Sequence, residues 1–223
     1  MSHRLGLFIK FNLSEESFMS ITKISRILCF ILICSFLFSA TVRAQDKPFA
    51  HDNNFSLMTG LSQDLLWDGG NVAVQYVTGL LALEYSHGFD LDLNDGGGLA
   101  LSSTEKSQGL QMEVPWTTGF GIGYRVTDAL HISLEFKAHG FKVTDPESGT
   151  QIDYTTFSIG PGVFYDIYIW KGLFIQPALR WWPTVASTLP GGSYTFHESD
   201  GTTKVHDVHD WGIFPNASLG WTF

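Results

Sequence analysis

Disulfide chemistry has no place in most of this sequence. Its only cysteines, Cys29 and Cys34, both lie within the first 44 residues, so whatever follows must hold together by other means. Basic residues are scarce too: thirteen Lys and Arg stand against twenty-two Asp and Glu, a formal charge of −9. So few cations exclude nucleic acid as a partner, because phosphate contacts need them. No apolar run reaches the roughly 20 residues of a membrane-spanning helix. Ile27–Phe38, uncharged and mostly apolar, would rise only about 18 Å as a helix against a hydrocarbon core of roughly 30 Å. Asn94-Asp95-Gly-Gly-Gly98 is glycine-rich, but with no Lys or helix pattern after it, it reads as a loop tip and not a phosphate loop.

The first 44 residues form a cleavable export signal. Glu15 and Glu16 precede the basic Lys23 and Arg26, the short apolar run follows, and Val42-Arg-Ala44 supplies small residues for cleavage after Ala44, in preference to Ala40. Met19 makes a more ordinary start than Met1, so initiation is expected there. Ile33 before Cys34 is too bulky for lipoprotein processing, so no lipid anchor is expected. Cleavage after Ala44 leaves 179 residues, one small domain. With five of the thirteen basic and two of the twenty-two acidic residues removed, the mature formal charge is −12.

From there the chain alternates with a period of two, the mark of strands between two unlike environments. Phe55, Leu57, Thr59 and Leu61 give a first strand, and Val72, Val74 and Tyr76 a second. The third sets Leu81, Leu83, Tyr85, Phe89 and Leu91 against Glu84, Ser86, Gly88, Asp90 and Asp92. The fourth sets Met112, Val114, Trp116, Phe120, Ile122, Tyr124 and Val126 against Glu113, Gly119, Gly121, Gly123 and Arg125. The fifth runs Leu130 to His139, the sixth Phe157 to Ile169 and the seventh Leu173 to Val185. The eighth is Trp211 to Phe223, with Trp211, Ile213, Pro215, Leu219, Trp221 and Phe223 on one face. Tight turns at Thr78-Gly79, Thr127-Asp128 and Lys171-Gly172 alternate with longer connections at Asn94–Gly109, Asp145–Thr150 and Ser187–Asp207.

Such alternation fits a soluble barrel around a greasy ligand or a membrane barrel with lipid outside. The polar face decides between them. A soluble exterior would be rich in Lys, Glu and Asp, whereas this face is largely Gly, Ser, Thr and Ala with isolated charges. The expectation is therefore an all-β chain folded as one closed antiparallel transmembrane barrel of eight strands over residues 45–223. Its polar face fills the lumen and its apolar face meets acyl chains. Trp170, Tyr124 and Trp221 are expected at the rim with tight turns, and Trp116, Trp181 and Trp211 at the other.

The final strand, ending on aromatic Phe223, resembles the terminal strand of Gram-negative outer-membrane barrels. That resemblance implies that Leu219, Trp221 and Phe223 belong to the signal read by the barrel-assembly machinery. The mature chain as a whole resembles small barrels of the OmpA/OmpX and OmpW kind. The likeness implies a place in the bacterial outer membrane, with membrane lipid and lipopolysaccharide as partners and no cofactor.

Three constellations are candidates for chemistry. Glu84, Glu113, Arg125, Glu135, Lys137, Asp166 and Arg180 share the polar face and are expected to pair in the lumen, since buried charges need partners. His131, Ser133 and Glu135 face one way on one strand and carry nucleophile logic. Their His-x-Ser order resembles the motif of outer-membrane lipid A deacylases. His197, His206 and His209, beside Asp207 and Asp210, have the donors for a transition metal but no fixed spacing. The reading that follows is a non-enzymatic structural or surface-interaction protein displaying Asn94–Gly109 and Ser187–Asp207. A conduit for small apolar solutes and a lipid-modifying hydrolase are the alternatives.

Overall fold

The computed structural model describes residues 53–94 and 101–223. The expected export signal, with Met19, Cys29 and Cys34, lies outside the described residues. Among those described, twelve strands are assigned: β1 (Asn54–Gly60), β2 (Gly70–Thr78), β3 (Leu81–Asp92), β4 (Gln111–Arg125), β5 (Leu130–Asp145), β6 (Thr150–Tyr165), β7 (Ile167–Trp170), β8 (Leu173–Trp182), β9 (Thr184–Ser187), β10 (Ser193–His197), β11 (Thr203–Asp207) and β12 (Gly212–Thr222). Two short helices join them, α1 (Leu61–Leu66) and α2 (Ser103–Ser107).

Hydrogen bonding closes a ring. β1 to β6 pair in sequence, β6 pairs with β8, β8 with β12 and β12 with β1, every contact antiparallel. β7 continues β6 past Asp166 on the same register with β8, since Gly162 faces Arg180 and Ile167 faces Ile175. β9 continues β8 past Pro183 and returns to β6. The ring thus has eight strands, and closure leaves no edge. β10 and β11 form a separate hairpin within the last connection.

Outside and inside follow the alternation over most of the barrel. Leu83, Phe120, Ile122, Ile132, Leu134, Ile159, Val163, Leu179 and Ile213 point outward, and thirty large apolar side chains are exposed among the described residues. A soluble monomer rarely shows so much contiguous apolar surface. From Trp116 on β4 to Val126 just past its end, the outward band spans ten residue steps. That is about 34 Å along the strand and about 26 Å once tilted by some 40°, the height of a lipid-facing band. Tyr124, Trp170 and Trp221 mark the rim with tight turns, where Trp170 meets Trp221 edge to face at 6.1 Å, and Trp116 and Trp181 lie toward the other rim. No described helix is long and apolar enough to cross a membrane, which does not bear on crossing by strands.

Toward the loop end the alternation inverts. Leu91, Met112, Val114 and Trp211, expected outside with their same-parity neighbours, are buried. Three backbone irregularities cause this. Asp90 has φ +54 on β3, and Gly212 has φ +58 just after Trp211. On β4 the register against β5 slips between Glu113 and Trp116, at Pro115, which has no N–H to give the ladder. An extra residue turns every later side chain to the opposite face. Glu113, expected in the lumen, faces outward by the same inversion and pairs there with Lys142.

Other boundaries shift too. Leu61, expected in the first strand, begins α1, and Ser62 Oγ accepts from Ala217 N (3.0 Å), continuing the β12 ladder beyond β1. Between Asp145 and Thr150 only a four-residue turn remains, because β5 and β6 run on together above the other strands.

Candidate functional site

The interior has two levels. The one nearer the tight turns is ionic. Lys137 Nζ lies 3.5 Å from Glu135 Oε1 and donates to Ser86 Oγ at 2.5 Å. Arg180 reaches Glu84 Oε1 at 3.4 Å and Glu135 Oε1 at 3.6 Å. Trp182 Nε1 donates to Glu135 Oε2 at 2.9 Å. The Arg180 guanidinium stacks over Phe164 (4.9 Å) and Trp182 (5.3 Å), so its planar charge is packed as well as paired. All four charged residues are buried. Small residues make room for the rings: a side chain on Gly162 would lie 2.6 Å from Phe164 and 2.8 Å from Glu135.

The level nearer the loops is apolar. Trp67, Leu91, Leu93, Met112, Val114, Phe141, Val143, Trp211 and Phe214 form one cluster, joined by Leu101, Leu110, Leu189 and Phe196 from the connections. Above it, polar side chains tie the connections down. Tyr154 Oη lies 2.9 Å from His206 Nε2 and accepts from the His209 backbone N–H at 3.2 Å, while His206 Nδ1 lies 2.5 Å from Glu105 Oε1. Glu105 is also the N3 residue of a capping box with Ser102 on α2. Burial pushes the Glu105 carboxyl up, but the hydrogen bonds from His206 and Ser102 outweigh it and leave the group at about 2. Burial lowers the His209 imidazole to about 4.

A second cluster clamps the β10–β11 hairpin to the β5–β6 turn. Lys204 Nζ lies 2.7 Å from Asp145, 2.9 Å from Glu147 and 3.2 Å from Glu198. Hydrogen bonds to Asp145 and Glu147 push the Lys204 ammonium up. Burial would raise Asp145, yet its bonds with Glu198, Lys204 and Ser148 hold it well below the usual carboxylate range.

Of the seven residues expected in a lumen network, Glu84, Glu135, Lys137 and Arg180 converge. Arg125 lies at the turn end, donating to the Asp128 carbonyl at 2.6 Å, and Asp166 accepts from Gln176 Nε2 at 2.8 Å. Glu113 is outside. His131, Ser133 and Glu135 share an inward face without forming a relay. The His131 ring lies flat on Phe164 (4.6 Å, 3°) with Gln75 Nε2 at 3.4 Å, and Glu135 is taken by Lys137, Arg180 and Trp182. His206 is buried between Tyr154 and Glu105, the half-buried His209 ring lies against Phe141 and Trp211, and His197 is exposed on β10, so the three imidazoles do not converge on one point.

Backbone likeness adds context. No protein-family model and no curated protein matches this chain. It is similar to the solved structure of a major outer membrane protein from Thermus thermophilus, at 15% identity over 78% of this chain and 100% of that one, with TM-score 0.46. It is also similar to the N-terminal β-barrel domain of Pseudomonas aeruginosa OprF (12% identity, 78% and 98% covered, TM-score 0.41). Ail, the attachment invasion locus protein of Yersinia pestis, is a third (11% identity, 77% and 99% covered, TM-score 0.39). Identities this low carry nothing about function. The chain's own ring of strands and apolar exterior decide the architecture. It is a transmembrane β-barrel.

Within this barrel, the residues that close the loop end leave the least trace in the sequence. Tyr154 and Trp67 look like ordinary strand and loop aromatics in sequence, and His139 like one more polar-face residue. Only Ser102-x-x-Glu105 carried a readable signature, that of a helix start.

Proposed function

We propose that this chain is a non-conducting barrel of a bacterial outer membrane, whose role is structural or surface-interactive and is exercised by the connections at its loop end. One observation carries the reading: the interior is filled at both levels, by the Glu84–Arg180–Glu135–Lys137 network and by the aromatic cluster above it. Function in so filled a barrel falls to what it displays. The displayed elements are α2, the β5–β6 turn and the β10–β11 hairpin, held as one cap by Glu105–His206–Tyr154 and by Lys204.

The connections favour a loop end that faces outward. Tight turns and both ends of the ring share one rim and the longer connections the other, and membrane barrels of this kind keep short turns on the periplasmic side. Export through the signal at residues 1–44, assembly through Leu219, Trp221 and Phe223, and contact with lipid and lipopolysaccharide along the apolar belt complete the proposal. A conduit is disfavoured by the filled interior. A deacylase is disfavoured because His131 stacks on Phe164 at the turn end, away from an outer leaflet.

Protein purified in detergent and inserted into planar bilayers is expected to give no conductance steps, and outer-membrane lipid incubated with it should keep its mass. Discrete channels would replace this reading with the conduit, and loss of an acyl chain with the hydrolase.

A further inference from the structure

A cavity interrupts the packed interior where the ionic and apolar levels meet. Its volume is about 20 Å³, and a single water needs roughly 10–15 Å³. Gln63, Trp67, Lys137, His139, Arg180 and Trp211 are among its lining residues, brought together from α1 and the chain after it, β5, β8 and the residue before β12.

The polar atoms around it are unusual in a shared respect. Trp67 Nε1, Trp211 Nε1, Arg180 Nε, His139 Nε2 and Gln63 Oε1 are all buried, and none has a hydrogen-bond partner among the described residues. Their residues are at most 5% exposed. Unpaired buried polar atoms are rare because each forfeits its hydration without a replacement bond, so five at one cavity point to a ligand. The rings adjoin one another: Trp67 to Trp211 is 6.0 Å and His139 to Trp211 5.3 Å between centroids.

The chemistry of that ligand follows from the donor count. An indole N–H and the Arg Nε–H can only donate. His139 Nδ1 lies 2.7 Å from Thr117 Oγ1, and where that hydroxyl donates, Nε2 carries the ring proton and becomes a fourth donor. Gln63 can turn either its oxygen or its amide nitrogen inward. Lys137 and Arg180 add positive charge to the wall, while Glu84 and Glu135, which partly offset them at 3.4–3.6 Å, are not part of it. Asn71, Ser86 and Thr117 also line the wall, but Ser86 Oγ accepts from Lys137 and Thr117 Oγ1 is engaged by His139. The unpaired atoms are thus mainly donors, which with the two cations suits an anion, and so small a space excludes phosphate, sugars and carboxylate metabolites.

We propose that this cavity is a halide site, taking a dehydrated chloride between Trp67 Nε1, Trp211 Nε1 and Arg180 Nε, with His139 facing them. The ion joins α1, β5, β8 and β12 at the level where the strands change facing. It therefore stabilises the loop end of the barrel more than the belt.

The test compares thermal unfolding of the detergent-purified protein in sodium chloride, sodium bromide and sodium gluconate at equal ionic strength. Chloride and bromide are expected to raise Tm along a saturating curve, as mass action on one site requires. Substituting Trp67→Phe and Trp211→Phe together keeps the ring volume and removes both indole donors, and should abolish that difference. A general salt effect would survive the substitutions and would overturn the site, as would equal Tm values in the three salts. Should the double variant fail to fold, bromide-grown crystals of the unaltered protein decide: an anomalous peak in the cavity supports the site, and water without one refutes it.

Discussion

The two halves of the barrel interior obey opposite rules. In the belt, apolar side chains point out and the interior is ionic: Ile132 and Leu134 are 45% and 47% exposed, while Glu135 and Lys137 beside them are buried. Above it, Met112, Val114, Phe141 and Val143 are fully or nearly fully buried, while Glu113 and Lys142 meet outside. The outer solvent explains the contrast. Against acyl chains, burying a leucine gains nothing, and the interior is left to polar groups that satisfy one another. Past the end of the lipid band the outside is water, and the hydrophobic effect again drives apolar side chains inward. Asp90, the Pro115 bulge and Gly212 lie at the change of regime, where they rotate the strands from one rule to the other. This chain is an inside-out barrel that becomes an ordinary hydrophobic core at its loop end.

The contrast can be broken at either level. The largest effect is expected from Arg180→Ala, which leaves Glu84 and Glu135 buried without their shared cation. Breaking such a buried pair costs about 3–5 kcal/mol, measurable by denaturant unfolding of the whole barrel in lipid. Next comes Met112→Ala in the apolar level, at about 2–5 kcal/mol for a core truncation. Its loss should be local, so that hydrogen exchange rises in α2 and β10–β11 while the belt strands stay protected.

Acidification should loosen the cap. Free imidazole titrates near 6.5 and His209 near 4, so the folded cap binds fewer protons than the unfolded one between these values. Its contribution is complete above about 6.5 and is lost as pH falls toward 4. Glu105 adds a second loss, from about 4.5 downward toward 2. Protease sensitivity of the connections should thus rise from about pH 6.5 downward, and His209→Phe should reduce the upper limb of that rise. Protease sensitivity that stays flat down to pH 4 would show that the cap does not depend on these groups.

Smaller effects sharpen the boundary. Gly212→Ala places a side chain at φ +58 and should cost about 1–2 kcal/mol, the penalty for a left-handed backbone. Least of all, Lys142→Ala removes an exposed pair worth about 0–1 kcal/mol and should leave stability nearly unchanged.

The belt was legible because a period of two is a local property. Phe120, Ile122, Ile132, Leu134, Ile159 and Val163 needed only the parity of their strands to be placed outward. Parity fails once the backbone inserts a residue or takes a positive φ, and neither event at Pro115, Asp90 or Gly212 can be read from composition. Leu91, Met112, Val114, Trp211 and Glu113 were misplaced for that reason. The network was legible as a set of charges but not as a graph, since Arg180 pairs with Glu84 across 96 residues of sequence. His206 likewise meets Glu105 across 101 residues.

The sequence by itself determined the strand count, the closed antiparallel ring and the apolar exterior, because those depend on alternation and turn chemistry along short stretches. Only the tertiary structure decided where that exterior stops, which charges share a level and which buried donors surround the cavity between the levels. These depend on register, and register depends on residues that meet only after the ring has closed.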